Sequence, residues 1–194
     1  EGSLMALAPT GIGKTAAALA SAISVQRASS DNLKILFLTS RQSQHRIVVD
    51  TVQKINQKLG QTEPSIKLVD LIGREGMCQN VDRISGKCDC EDDLDGSIRD
   101  ELRADMQANI LLKPTHVDDL IQNSRRINLC AWATAREAVK SCNILVCDYN
   151  HVFIDSVREA SLPSMGVDIE NTILIVDEAH NLPDRVRNGM SRRI

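Results

Sequence analysis

Aromatic side chains are scarce in this chain. Phe37, Trp132, Tyr149 and Phe153 are the full set, 2% of 194 residues. Gripping nucleic acid by stacking bases takes several such rings. Any strand held here is therefore expected to be held mainly through its backbone. An excess of positive charge is also missing: 23 Lys and Arg stand against 26 Asp and Glu, for a net charge of -3. That balance excludes a uniformly basic nucleic-acid binder, while one basic channel on an acidic surface stays compatible with it. No uncharged apolar run is long enough for a membrane-spanning helix, so no membrane partner is expected. No secretory leader precedes the first apolar stretch, and there is neither an internal repeat nor a low-complexity tract. The chain opens at Glu1 without a methionine and enters an apolar run almost at once, so it reads as a piece of a longer protein.

What is present is a chain with 42% hydrophobic residues, enough for one domain with an insertion. Near its start stands Ala8-Pro9-Thr10-Gly11-Ile12-Gly13-Lys14-Thr15. Gly11 and Gly13 let successive N–H groups curl inward, and the following helix N-terminus adds its dipole, so the loop suits phosphate oxygens. Thr10, Gly11, Ile12, Gly13, Lys14 and Thr15 are thus the candidate nucleotide-binding residues. Lys14 is expected on the β- and γ-phosphates of ATP and the Thr15 hydroxyl on Mg²⁺. Ala8 stands where the strict motif has Gly. An incidental Gly-rich turn is the bland alternative, which a strand before the loop, a helix after it and the Lys-Thr pair argue against.

Near the other end, Ile173-Leu174-Ile175-Val176 runs into Asp177-Glu178-Ala179-His180. Open α/β sheets place ligands at the carboxyl ends of strands. Asp177 is the expected water-mediated Mg²⁺ partner, and Glu178 the group that orients and activates the attacking water. His180 is expected to link nucleotide state to the rest of a motor. An apolar strand ending in two carboxylates can also be a solvated turn; the pairing with the phosphate loop is what gives it weight. The tetrad Asp-Glu-Ala-His points to a superfamily 2 helicase.

Between these halves lie Cys78, Cys88, Cys90 and Cys130. The phosphate loop argues for a reducing, intracellular setting, cytoplasmic or nuclear, where clustered cysteines more often bind metal than pair as disulfides. Zinc sites usually use C-x₂₋₄-C pairs, which these four lack. An iron–sulfur cluster takes one thiolate per iron, so its ligands can come from scattered points. Spacing alone leaves iron–sulfur, zinc and buried free thiols open. Cys142 and Cys147 flank the apolar run Ile144-Leu145-Val146 and read as core.

The pattern of elements suggests an α/β fold. Ser3–Ala8 is expected as a buried strand and Thr15–Arg27 as a helix. Ile35–Thr39 is expected as a strand, and residues 47–59, with Ile47, Val48, Val52, Ile55 and Leu59 at helical spacing, as a helix. Strands are expected over Ile66–Ile72, Asn143–Tyr149 and Ile173–Val176. Helices are expected over Asp100–Leu112, Val117–Ser124 and Ala131–Lys140. Strands alternating with helices imply a parallel sheet covered on both faces. Residues 1–72 and 133–194 form the nucleotide-binding sheet, and residues 73–132 the cysteine-containing insertion.

These pieces together resemble the XPD family of iron–sulfur DNA helicases over nearly the full length. The matching stretches are Ala8–Thr15, Leu36–Arg41, Gly73–Cys78, Leu129–Trp132, Val146–Asn150 and Ile175–Pro183. The resemblance implies a RecA-like P-loop NTPase parallel sheet with an iron–sulfur insertion, and Cys78, Cys88, Cys90 and Cys130 as ligands of a 4Fe–4S cluster. It also implies an ATP-driven motor moving 5′ to 3′ on single-stranded DNA, completed by a second helicase domain and an arch domain, within a repair or transcription assembly. The fragment alone is not expected to unwind DNA. The chain departs from the family at Ala131, where members usually have Pro, and in the tight Cys88-x-Cys90 spacing.

In the family, Thr39–Gln44 resembles a segment that touches single-stranded DNA; hydroxyls, amides and Arg41 suit phosphate-backbone contact. Arg74, Arg125, Arg126 and Arg136 are expected to guide DNA past the cysteines or to neutralise their charge. The acidic run Glu91–Asp95 is expected to be a solvated surface. Two rivals to the motor are a zinc-stabilised nucleic-acid adaptor and a scaffold that binds ATP without moving DNA.

Overall fold

The computed structural model describes residues 2–9, 11–60, 63–78, 80–82, 84–85 and 87–191. Its strands are β1 (Lys34–Leu38), β2 (Leu68–Asp70), β3 (Ile144–Cys147) and β4 (Thr172–Val176). The main helices are α1 (Lys14–Ala28), α2 (Gln42–Leu59), α3 (Arg74–Met77), α4 (Gly96–Leu112), α5 (Val117–Arg126) and α6 (Ala131–Ala138). Short helices α7 (Asn150–Phe153) and α8 (Asp155–Ser161) separate β3 from β4, and α9 (Leu182–Met190) closes the described chain.

The four strands form one parallel sheet in the order β2-β3-β1-β4. The strands are apolar runs rather than alternating ones because both faces are covered. The two-residue period sorts their side chains between two cores. Ile35, Phe37, Leu68, Ile144 and Val146 pack under α1 and α2, against Leu19, Ile23, Val48, Val49 and Val52. Leu36, Leu38, Val69, Leu145 and Cys147 face the other way, against Ile110, Val117, Leu120 and Ala135 of α4, α5 and α6. Each fully buried Leu or Ile contributes about 1.5–3 kcal/mol relative to exposure. Helices from residues 73–132 therefore roof one face of the sheet and share its core.

The expected strand at Ser3–Ala8 does not form. Residues 2–9 are irregular, and Leu4, Met5 and Leu7 are fully exposed. The run offers only three large apolar side chains among Gly, Ser, Ala and Pro, none of them β-branched, a composition that suits a pleated surface poorly. The second helix begins at Gln42, ahead of the expected residue 47. Its first turn is polar and solvated, so hydrophobic spacing gives no sign of it. Ile47, expected on the buried face, is 53% exposed, and His45, Val48, Val49 and Val52 are inside instead.

Parallel strands bring all four carboxyl ends to one edge of the sheet. Thr39, Leu71, Asp148 and Asp177 each follow directly there. β2 and β4 are the outer strands, three strand spacings or about 14 Å apart. The cysteine-bearing segment follows β2 and the acidic motif follows β4, so the two lie at opposite ends of one edge. Among the described residues no helix is long and apolar enough to cross a membrane.

Candidate functional site

At the β4 end, the phosphate loop leads straight into α1. Gly11 and Gly13 both have positive φ, +84° and +85°, and neither would meet a neighbour with an added Cβ. Their requirement is backbone conformation rather than space. Gly13 caps α1, and its carbonyl accepts from Ala17 N at 3.0 Å. Lys14 Nζ donates to the Ala8 carbonyl at 2.9 Å, folding the lysine back over its own loop. Thr15 is half-buried. Thr10 lies outside the described residues, and Ile12 is exposed.

Asp177 continues the β4 ladder, its N–H donating to the Leu38 carbonyl at 2.9 Å. Burial raises its carboxyl pKa and the Glu178 charge adds to that, while Lys14 pulls the other way. The two motifs, more than 160 residues apart in sequence, are thus within electrostatic reach of each other. Glu178 adopts a left-handed conformation, φ +50°, that non-glycine residues rarely visit. His180 is mostly exposed, with Nδ1 3.3 Å from Glu178 Oε2.

Two further residues brace this turn. The Tyr149 hydroxyl donates to the Asp177 carbonyl, and lies 3.1 Å from the Glu178 carbonyl. Asn181 Nδ2 also reaches the Glu178 carbonyl, at 3.2 Å. Of the expected DNA-contact segment, Thr39 is fully buried and its hydroxyl bonds Gln44 Oε1. Arg41, Gln42 and Ser43 are the exposed members.

At the β2 end, the sulfurs of Cys78, Cys88, Cys90 and Cys130 all lie within 4.8 Å of one another. Cys78 ends α3 and Cys130 caps α6, both buried; Cys88 and Cys90 approach on a loop pinned by an isolated bridge between Val81 and Cys88. The Cys78 and Cys90 sulfurs are 3.0 Å apart, and all the cysteines are free. Among the described residues the four thiols alone make up this group, a donor set that suits a metal centre. Cys142 and Cys147 are buried in the core, away from this group.

Electrostatics separates Cys88, Cys90 and Cys130. Burial pushes Cys88 up, but the Arg74 guanidinium, 3.4 Å away, and the Cys90 N–H outweigh it, leaving Cys88 below the ordinary thiol value. Burial and the neighbouring sulfur of Cys78 push Cys90 well up. Burial takes Cys130 to about 11. Arg74 and Arg136 both stack on the Trp132 ring, 4.8 and 4.9 Å from its centroid. The guanidinium of Arg74 is therefore held between an aromatic face and a sulfur. Arg125 and Arg126 end α5 and are exposed.

Glu91 corrects the expectation of a solvated acidic run. Its side chain is only 15% exposed; Oε1 accepts the Cys130 N–H at 2.9 Å and Oε2 pairs with Arg103 of α4. It ties the loop holding Cys90 to the segment holding Cys130. Asp95, at the end of the same run, caps α4 by accepting from Ser97 N. A second buried brace joins the cysteine segment to the sheet. Asp70, at the end of β2, receives His45 Nδ1 of α2 at 2.5 Å and the Val117 N–H of α5 at 2.9 Å. His116 Nε2 lies 3.7 Å from the same carboxylate. None of Glu91, Asp70, His45 or His116 stands out in sequence, since each acts through a partner far along the chain.

A model of the DEAD_2 family matches residues 14–194. The ATP-dependent DNA helicase chl1 of Schizosaccharomyces pombe is 27% identical over 168 residues, covering 79% of this chain and 19% of that protein. The ATP-dependent DNA helicase DDX11 of Danio rerio is 32% identical over 81 residues, covering 42% of this chain and 9% of its own length. A solved structure titled XPD_Helicase superposes with a TM-score of 0.62 at 19% identity, over 93% of this chain and 29% of that one. The chain spans about a fifth or less of the length of these curated relatives.

Proposed function

Because the chain belongs to the DEAD_2 family, we propose that it is the nucleotide-binding part of an ATP-dependent DNA helicase with a metal-braced insertion. The observation that carries this is the lie of α1: Gln26 near its end donates to the Asn143 carbonyl just ahead of β3, at 3.2 Å, which aims its start, at Lys14, toward the carboxyl edge of the sheet where Asp177 follows β4. The backbone of Thr10–Gly13 receives phosphate oxygens, and Lys14 neutralises the β- and γ-phosphates of ATP. Thr15 and Asp177 hold Mg²⁺, Asp177 through water. Glu178 orients the attacking water, and its contact with His180 passes the state of that carboxylate outward.

Single-stranded DNA is the polymer partner. Arg41, Gln42 and Ser43 face solvent beside β1 and suit backbone contact without sequence preference. A second helicase domain and an arch domain complete the motor, which works 5′ to 3′ in repair or transcription assemblies. Cys78, Cys88, Cys90 and Cys130 hold a 4Fe–4S cluster. When bound, the cluster crosslinks three separate segments into a rigid wedge. Arg74 offsets its negative charge. The rival metal is zinc, favoured by one observation: sulfurs within 4.8 Å of one another lie near the edge of about 3.8 Å that Zn–S bonds of ~2.3 Å give a tetrahedron.

Lys14→Ala in the full-length protein tests the motor. ATP hydrolysis and strand separation are both expected to be lost; wild-type protein that binds ATP but neither hydrolyses it nor separates strands refutes the motor and leaves the scaffold. Iron, sulfide and zinc content after oxygen-free purification tests the metal. About four irons and four sulfides per chain support the cluster, and one zinc without sulfide overturns it.

A further inference from the structure

Tyr149 sits midway along the functional edge. It follows β3, which neighbours β1, which neighbours β4. Its side chain is among the largest that are fully buried, yet its hydroxyl finds two acceptors, the carbonyls of Asp177 and Glu178. One phenol carries one proton. It cannot donate fully to both carbonyls, so a small displacement decides which of them is held.

The β1–β3 register pairs Leu38 with Cys147, and the Thr39 N–H donates to the Cys147 carbonyl at 3.1 Å, so Ser40 and Tyr149 leave neighbouring strand ends side by side. The Ser40 carbonyl lies 3.5 Å from Arg185 Nη2 of α9. Ser40 directly precedes the exposed Arg41, Gln42 and Ser43 and follows the buried Thr39. The segment after β1 therefore runs beside the segment after β3 and is tied through the Ser40 carbonyl to the helix after the acidic motif. The turn it bears on is strained: Glu178 at φ +50° holds a left-handed conformation that is unfavourable for an L-residue and depends on outside bonds to persist.

We propose that Ser40 and Tyr149 form a positioning relay, through which a DNA backbone bound at residues 40–43 sets the Asp177–Glu178 turn and so the rate of ATP hydrolysis. The relay rests on the motor function proposed above. Tyr149 does not touch substrate; it acts through the carbonyls of the residues that do. Strand binding shifts Ser40, Ser40 shifts the phenol, and the phenol selects the carbonyl that fixes the Glu178 side chain.

The test uses the full-length protein with Tyr149→Phe, Ser40→Ala and both together. Hydrolysis is measured with and without an oligothymidine strand, alongside strand affinity and thermal unfolding. The stimulated-to-unstimulated ratio is expected to fall about fivefold or more in Tyr149→Phe, with strand Kd changed by less than about twofold, the size of a weak but real coupling between sites. The double variant should be no worse than Tyr149→Phe, because two members of one relay do not add. Stimulation kept in Tyr149→Phe, or losses that multiply in the double variant, overturn the relay. If Tyr149→Phe unfolds, an unchanged ratio in Ser40→Ala overturns it equally. Wild-type protein that hydrolyses ATP without responding to the strand refutes the motor function itself, which separates the two failures.

Discussion

At β4 the chemical groups are half-exposed and their placement is a matter of backbone. Gly11 and Gly13 at positive φ turn the phosphate loop, and a left-handed Glu178 turns the acidic motif. At β2 the groups are mostly buried and held by side chains reaching across the chain: Asp70 to His45 and α5, Glu91 to Cys130 and Arg103, Arg74 to Cys88. On the proposed function, a loop that admits and releases a nucleotide gains from conformational definition without burial. A site proposed to hold a metal crosslink gains from burial and paired charge. The β4 end should thus be breakable in rate without loss of structure, and the β2 end breakable in structure first.

The largest effect is expected from Glu178→Gln in the full-length protein. Hydrolysis should fall about 10²–10⁴-fold, the range for losing a general base, while ATP still binds and metal content stays constant. A change in metal content would show that the two ends are not separable. Asp70→Ala attacks the other end. It strips a buried acceptor from His45 Nδ1 and Val117 N, and should cost about 3 kcal/mol in chemical denaturation. Hydrogen exchange should loosen α5 before α1; loosening of both together would mean that the brace serves the whole sheet.

How much of this contrast is visible in the sequence follows from the same difference. The backbone-built site is written locally, in Gly11-Ile12-Gly13-Lys14-Thr15 and in an apolar strand ending at Asp177-Glu178, and both motifs could be read before any coordinates. The cysteines could also be picked out as a group. Their supports could not, because Glu91 meets Cys130 across 39 positions and Asp70 meets Val117 across 47. Hydrophobic periodicity carries no record of such pairings. Tyr149 lies in a stretch that could be recognised, but its partners, 28 and 29 residues on, could not. The helices between β3 and β4 escaped for a different reason: at 4 and 7 residues, α7 and α8 are too short to show a period of 3.6.

A smaller effect sharpens the account of the β2 end. Glu91→Gln keeps an acceptor for the Cys130 N–H but gives up the charge that pairs with Arg103. It should cost about 1–2 kcal/mol of stability, as expected for a charge-assisted bond in a partly buried setting. A loss confined to residues 74–130 in hydrogen exchange would place Glu91 in the clamp alone.

The smallest effect comes from His151, behind the edge in α7. Burial lowers its pKa below the ordinary 6.5, against the pull of Asp148. Between the folded and unfolded pKa values the unfolded chain binds more protons, so stability rises with pH there and is lost as pH falls below about 6.5. His151→Gln should flatten that limb of a stability–pH curve. An unchanged slope would assign the acid sensitivity to other groups.

The outer side of β4 carries one more consequence. Among the described residues it has no strand beside it, and Leu174 on that strand is 41% exposed. An uncapped row of N–H and C=O groups is a template for any extended chain that arrives, including another copy of the same polypeptide. Studied in isolation, this polypeptide should gain solubility from a single lysine at Leu174, with little cost to either end of the functional edge.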